Sequence, residues 1–378
     1  MKIYLLISIF AFSFCFCVSN HNTEDGNKRV INNDYARLFS ISDSGSYYRL
    51  DIYSPWQGAD NIEITYYLSE NKDLIPGNVK ESSKIKLPIN KSVCLSTTHV
   101  AMIEAAGSLE TIIGVSGTDY VSNSLLREKI EKGKVKDVGY DSNLNTELIT
   151  SLNPDIVFVY GIGPESAGYM SKLEKVGIPT LFICDYLEVH PLAKCEWMKL
   201  FGVLFASEDV VNSNFLKAKT NYESLRDSIK RKISSRPEVM LGLPYKDKWF
   251  ISPGNSYVSA LINDAGGEYV WSDRHSYISM PLGIESVFRQ TIESEYWLNI
   301  GNVRTVNELL ALDNRFAELG PVKSGKLYNN VARLSENGGN DYWESGAVRP
   351  DLVLRDIASI LHPDIITNHE LYYYLKVK

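Results

Sequence analysis

The side chains best equipped for chemistry in this chain of 378 residues are its 23 tyrosines and six histidines. A tyrosine presents a flat apolar face with a polar tip, which suits recognition better than catalysis. Many of the 23 must simply fill edge strands and half-exposed sheet positions. The histidines are His21, His99, His190, His275, His362 and His369. None stands in an HxH or HxxxH pair, so no two share a helical face at metal-ligand spacing. His99, near a strand end, is the one to follow as a ligand; a hydrogen-bonded structural histidine is the plainer reading. The chain has no GxSxG elbow, no P-loop and no GxGxxG fingerprint. Acidic and basic residues are plentiful, but no spacing singles out an acid–base pair. Cys94, Cys184 and Cys195 make no CxxC and read as small buried side chains. These observations point to a binding protein with no cofactor rather than to an enzyme.

Charge and composition narrow the class. The net charge is -7 with no long basic run, which argues against a nucleic-acid surface. A hydrophobic content of 44% with 22% charged residues is that of a globular chain. Its length exceeds what one core usually organises, so two α/β lobes are expected.

Residues 1–17 set the compartment. Lys2 gives a positive start, and Ile3 to Phe16 form an apolar run of about 14 residues, too short to span a bilayer. The run ends in Phe14-Cys15-Phe16-Cys17 and opens into a polar tract as far as Asn33. A cysteine at that junction resembles a lipoprotein signal, with Cys17 the lipidated residue and Cys15 the alternative. Phe16 stands where a small residue usually precedes the cysteine. The expected location is the cell envelope, lipid-anchored and facing the periplasm.

The elements that would position a site follow from the hydrophobic rhythm. After a tether over 18–33, residues 34–90 alternate apolar and polar positions in Tyr48–Tyr53 and Ile62–Leu68, a β appendage. From Val93 short buried strands alternate with helices. Val93–Ser96, Thr111–Val115, Asp155–Tyr160 and Ile178–Ile183 are predicted strands, with a helix over Ser166–Val176. This βαβα pattern predicts a first lobe over 91–206 built on a parallel sheet. Within a linker over 207–235, Glu208 to Ile233 is a charged amphipathic run with no Pro or Gly, predicted as a linking helix of about 39 Å. A second lobe over 236–378 repeats the pattern, with strands at Val239–Leu243, Trp249–Ile251 and Glu295–Ile300, and helices at Tyr257–Ala265 and Leu352–Leu361. Gly254 allows close backbone approach, Asn255 or Ser256 caps the following helix, and Gly266-Gly267 ends it.

With these elements in order, the sequence resembles the helix-linked periplasmic binding proteins of the iron-siderophore and vitamin B12 ABC importers. The resemblance covers about Ser92 to Pro363. It is carried by Ser96-Thr97-Thr98-His99 with Ile113-Gly114-Val115, by Asn145-Thr146-Glu147-Leu148-Ile149 before Asn153-Pro154-Asp155, and by Ser252-Pro253-Gly254-Asn255-Ser256-Tyr257 with Ala265-Gly266-Gly267. Tyr186–Leu192 with Cys195-Glu196-Trp197 is similar to a lipoprotein subgroup in which the β appendage also occurs. The resemblance implies two Rossmann-like lobes joined by a long helix. It also implies a permease partner, a lipid anchor, and an iron complex or corrinoid bound between the lobes.

In such an architecture ligands bind outside the carboxyl ends of the strands. The candidate ligand residues are therefore Thr97, Thr98, Tyr120, Tyr140, Tyr160, Tyr186, Trp249, Tyr257, Arg274, Tyr277 and Arg349. Aromatics would pack on a macrocycle, and arginines would pair with carboxylates or phosphate. For each residue taken singly, a structural role is an equal reading. The family docks through one glutamate on each lobe, for which Glu285 and Glu165 are the candidates; a glutamate in a first helical turn also simply complements the helix dipole. Two rivals remain: a zinc or manganese importer's lipoprotein, and a chelatase-like enzyme on the same scaffold.

Overall fold

The computed structural model describes residues 28–29, 31–140, 143–161 and 166–378. Cys15, Cys17 and Glu165 lie outside them.

The chain opens with a five-stranded sheet of β1 (Lys28–Arg29), β2 (Phe39–Asp43), β3 (Tyr48–Tyr53), β4 (Glu63–Ser69) and β5 (Lys84–Lys86). One face alternates inward with Ile41, Leu50, Ile52, Tyr66 and Leu68, as period-2 patterning requires. Those side chains join a single core with the first lobe; the Phe39 ring lies 4.8 Å from that of Trp197. The appendage is thus an extension of the first lobe's core.

The first lobe runs β6 (Ser92–Cys94), α1 (Thr97–Ala105), β7 (Ile112–Val115), α2 (Ser124–Glu131), β8 (Lys136–Asp137), α3 (Thr146–Leu152), β9 (Ile156–Val159), α4 (Ser166–Lys175), β10 (Thr180–Phe182), α5 (Pro191–Glu196) and α6 (Met198–Leu204). Its sheet is parallel in the order β10-β9-β6-β7-β8. All four residues of β9 are buried, the signature of a strand covered on both faces.

Helix α7 (Glu208–Lys232) links the lobes, and at 25 residues it is about 37 Å long. Asn214 donates to the Ala105 carbonyl on the first lobe (2.9 Å), while Tyr222 donates to Asp264 (2.7 Å) and Asn221 to Asp351 (3.2 Å) on the second. The helix is therefore fastened to both lobes along its length.

The second lobe comprises β11 (Glu238–Leu241), β12 (Pro244–Tyr245), β13 (Lys248–Ile251), α8 (Tyr257–Asp264), β14 (Glu268–Tyr269), β15 (Met280–Gly283), α9 (Ile284–Thr291), β16 (Tyr296–Leu298), α10 (Val306–Leu312), α11 (Gly320–Ser324), β17 (Leu327–Asn329), α12 (Pro350–Leu361) and β18 (Leu375–Lys376). Its main sheet has the order β14-β11-β16-β17-β18, parallel except at β18. A separate antiparallel sheet, β12-β13-β15, emerges after β11. The two main sheets correspond by topology: β6 matches β11, β7 matches β14, and β9 matches β16. The helix feeding the strand beside the central one is α3 in one lobe and α9 in the other.

Two buried carboxylates from the segment 186–197 hold the backbone of residues 34–38. Glu196 accepts the backbone N–H groups of Asp34 (3.0 Å), Tyr35 (2.7 Å) and Ala36 (2.8 Å), and pairs with Lys199 at 2.6 Å. Glu188 accepts from the N–H groups of Arg37 (2.9 Å) and Leu38 (3.0 Å) and from the Trp197 indole (3.1 Å). His190 caps α5, its Nδ1 accepting the Leu192 N–H at 3.0 Å, and its ring stacks on Tyr35. The lipoprotein-subgroup motif therefore has a structural task here.

His99 lies in α1, wholly buried, with neither ring nitrogen hydrogen-bonded among the described residues. The expectation of a hydrogen-bonded histidine is corrected: Phe158 is its ring neighbour at 6.0 Å. Burial pushes its pKa down to about 3. A depressed basic pKa means the unfolded chain takes up the proton first, so stability is full above about 6.5 and falls as pH drops toward 3. At pH 5 the loss is roughly 2 kcal/mol. Urea unfolding of His99→Leu is expected to show a shallower decline between pH 6.5 and 4. A decline identical to that of the wild type would exclude His99 as its source.

Candidate functional site

The carboxyl ends of the two parallel sheets face each other, and contacts close the gap on both flanks. On one flank, the loop after β17 meets the end of β7. Glu344 is buried there, and its two carboxylate oxygens accept the N–H groups of Ser122 and Asn123 at 2.7 Å each. Gly339 is needed at this junction, because a Cβ there would stand 2.6 Å from the Tyr120 carbonyl oxygen. Burial pushes the Glu344 carboxyl up to about 8; the two N–H donors oppose this, and Asp341 and Glu104 add to it.

On the other flank, Gln57 reaches the Tyr277 carbonyl at 3.4 Å. Elsewhere along the gap Asp185 after β10 pairs with Lys194 at 3.4 Å, and the Lys194 ammonium lies 5.6 Å from the centre of the Tyr257 ring. Burial raises the Asp185 carboxyl, and Lys194 opposes the shift. Tyr257 begins α8 in the second lobe, so this cation–π contact also crosses the gap.

Between the flanks lie several of the residues picked out by sequence. Ser96 caps α1 by accepting the Thr98 N–H at 3.3 Å, and the two hydroxyls stand 3.0 Å apart. That sets Thr97 and Thr98, both half-buried, in the first turn at the end of β6. Tyr140 follows β8, and the Tyr160 hydroxyl after β9 donates to the Tyr140 hydroxyl at 3.3 Å. The Tyr186 hydroxyl donates to the Gly161 carbonyl, drawing the ends of β9 and β10 together. Tyr120 and Tyr140 are exposed. The geometry thus joins Tyr140, Tyr160 and Tyr186 into one aromatic rim on the first lobe.

On the second lobe, Gly254 lets backbone pack on backbone. Its N–H donates to the Arg274 carbonyl at 2.6 Å, and a Cβ would sit 2.2 Å from the Ser272 oxygen. Asn255 accepts the Ser276 N–H at 3.0 Å. The loop carrying Arg274 and Tyr277 is thereby pinned to the start of α8. Tyr277 is 88% exposed at its crest.

One of the candidate ligand residues is corrected. Trp249 is wholly buried; it packs against Trp297 and Phe316, and its indole donates to the Leu241 carbonyl at 3.0 Å. It is a core residue of the second lobe. Arg349 is engaged by Asp351 through two contacts of 2.9 and 3.0 Å, and it faces a different space. That space is a polar cavity of about 480 Å³ behind the Glu344 flank, where Glu104, Asn123, Arg333 and Glu344 also lie. It sits beside α1 and α7, away from the tyrosine rim.

Glu285 stands in the first turn of α9 with its side chain 79% exposed, bridged to Arg315, which Asp313 holds at 2.6 Å. The lobe correspondence shows a residue that sequence reading passed over. Glu147 is in the first turn of α3, exposed, after the Asn145 cap. It holds in the first lobe the place that Glu285 holds in the second. The signal was present in Asn145–Asp155, but its meaning depends on the topology.

Among the described residues, no group of three or more His, Cys, Asp or Glu is placed to hold a metal ion. No described helix is long and apolar enough to cross a membrane.

Comparison with known proteins agrees with this architecture. An uncharacterised lipoprotein of Methanocaldococcus jannaschii is 25% identical over 82% of this chain and 75% of its own length. Among solved structures, a periplasmic heme-binding protein of Pseudomonas aeruginosa aligns with a TM-score of 0.55 at 16% identity, over 73% of this chain and 93% of that one. The Helicobacter pylori Ceue protein, solved with Ni(II) bound, aligns with a TM-score of 0.58 at 16% identity, over 76% of this chain and 88% of its own. At such identities these likenesses concern the fold. The model of the periplasmic binding protein family matches residues 93–329, more than half of the chain and both faces of the gap, so the chain belongs to that family.

Proposed function

We propose that this protein is a membrane-tethered substrate-binding lipoprotein, anchored through Cys17 or Cys15, that carries an iron complex or a corrinoid to an ABC importer permease. The observation carrying this reading is the pair of opposed strand-end faces with the Tyr140–Tyr160–Tyr186 rim between them. Flat aromatic faces with polar tips suit a bulky, partly apolar cargo better than a bare ion. The names of the two solved relatives, one binding heme and one holding Ni(II), support a metal-associated cargo class. Thr97, Thr98, Tyr120, Tyr257, Arg274 and Tyr277 complete the proposed ligand surface. Docking is assigned to Glu285 on the second lobe, and to Glu147, alongside Glu165, on the first. The role is transport, with no turnover of the cargo.

Thermal unfolding with hemin, cobalamin, cobinamide and ferric citrate tests the reading. A ligand at a hundredfold excess over its Kd adds about 2.7 kcal/mol, which raises Tm by roughly 4 °C for a chain of this size. One of the four is expected to produce that shift. No shift with any of them, together with one from Zn²⁺ or Mn²⁺, would move the assignment to a bare-ion carrier.

A further inference from the structure

The turn 54–61 of the appendage has a specified backbone. Ser54, Gly58 and Asn61 have φ of 47°, 84° and 62°, and the turn is closed by Ser54 N–H to the Ile62 carbonyl and by Ala59 N–H to the Trp56 carbonyl. It is seated on the carboxyl end of β10: the Trp56 ring lies 5.5 Å from Phe182, and the Cys184 thiol donates to the Pro55 carbonyl at 3.2 Å. From that seat Gln57 Nε2 reaches the Tyr277 carbonyl of the second lobe at 3.4 Å.

We propose that the turn 54–61 is a third wall of the ligand cleft, closing its mouth between β10 and the loop after β14. This rests on the reading of the gap between the lobes as the ligand site. Trp56 is only partly buried and Tyr277 almost bare, so two aromatic faces border the same mouth. Such faces, apolar with a polar edge, are surfaces on which a flat, bulky ligand can stack. The opposite flank is shut by the buried Glu344 contact, whereas among the described residues the hydrogen bond from Gln57 across this one is long at 3.4 Å and yields more easily. Cargo size is therefore selected at the Trp56–Gln57–Tyr277 side, and a bulky cargo stacks there.

Two measurements test the wall. Gln57→Cys with Tyr277→Cys in the ligand-free protein is expected to cross-link rapidly within one chain under a short bifunctional thiol reagent; the described native cysteines are buried and do not compete. Absence of that cross-link overturns the proposal. Titration with hemin and ferric citrate then compares the wild type with Gln57→Ala and Trp56→Ala. Hemin affinity is expected to fall at least tenfold relative to ferric citrate; the Gln57 variant guards against a packing defect beside Phe182. Unchanged ranking in both variants, where the wild type binds either probe, also overturns it. A wild type that binds neither probe while the cross-link forms counts against the ligand reading and leaves the bridge between lobes established.

Discussion

Glu196→Ala is expected to cost about 3–5 kcal/mol of stability, the range for removing one partner from a buried, hydrogen-bonded ion pair. The Glu196 side chain is wholly buried and neutralises Lys199 at 2.6 Å. It also receives three successive backbone N–H groups from Asp34 to Ala36. Alanine leaves those three donors with no acceptor and the Lys199 ammonium with only the Asn32 carbonyl at 3.0 Å, and each buried unsatisfied group carries its full desolvation cost. Glutamine does not rescue, because its amide nitrogen turns a donor toward donors. Urea unfolding should show a lower midpoint, and hydrogen exchange should show lost protection at residues 34–36. Exchange alone rising, with the midpoint unchanged, would mean that the segment frays without weakening the core. No change in either would deny Glu196 its role as the clasp.

Local pattern carried the architecture a long way. Tyr48–Tyr53 alternates as a strand and is one, because each inward side chain has a core to enter. Residues 208–232 form the linking helix, since a charged run without Pro or Gly has no competing conformation. The site was less legible, because its decisive contacts are non-local. Trp249-Phe250-Ile251 is apolar throughout, so the pattern does not say which face is covered; the structure buries Trp249 and exposes Phe250. Glu344 reaches the start of α2 from 222 residues away, and no spacing in the sequence announces it. His99 looks like a ligand by type and position, yet its ring turns into the core. Docking shows the same limit: Gly163-Pro164-Glu165-Ser166 echoes Gly283-Ile284-Glu285-Ser286 in wording, whereas Glu147 matches Glu285 in topology.

That topological match predicts the largest functional effect. Glu147→Ala with Glu285→Ala is expected to weaken binding to the reconstituted permease by roughly 2- to 30-fold, equivalent to about 0.4–2 kcal/mol at two rim pairs. Each exposed pair alone contributes only about 0.2–1 kcal/mol, so the single variants should be much milder. Both residues are exposed helix-start side chains, so Tm and cargo affinity should barely move. Added salt should shrink the difference from the wild type, as screening removes the same attraction. The Arg315 bridge separates docking from an internal brace. Arg315 already holds Glu285, so docking arginines must displace it. Arg315→Ala should therefore keep or raise permease affinity if Glu285 docks, and should mimic Glu285→Ala if Glu285 merely braces α9. Combining Glu285→Ala with Glu165→Ala provides the competing first-lobe assignment. A larger loss there than with Glu147→Ala would move the first-lobe contact to Glu165, and unaltered affinity in both doubles would remove glutamate docking from this protein.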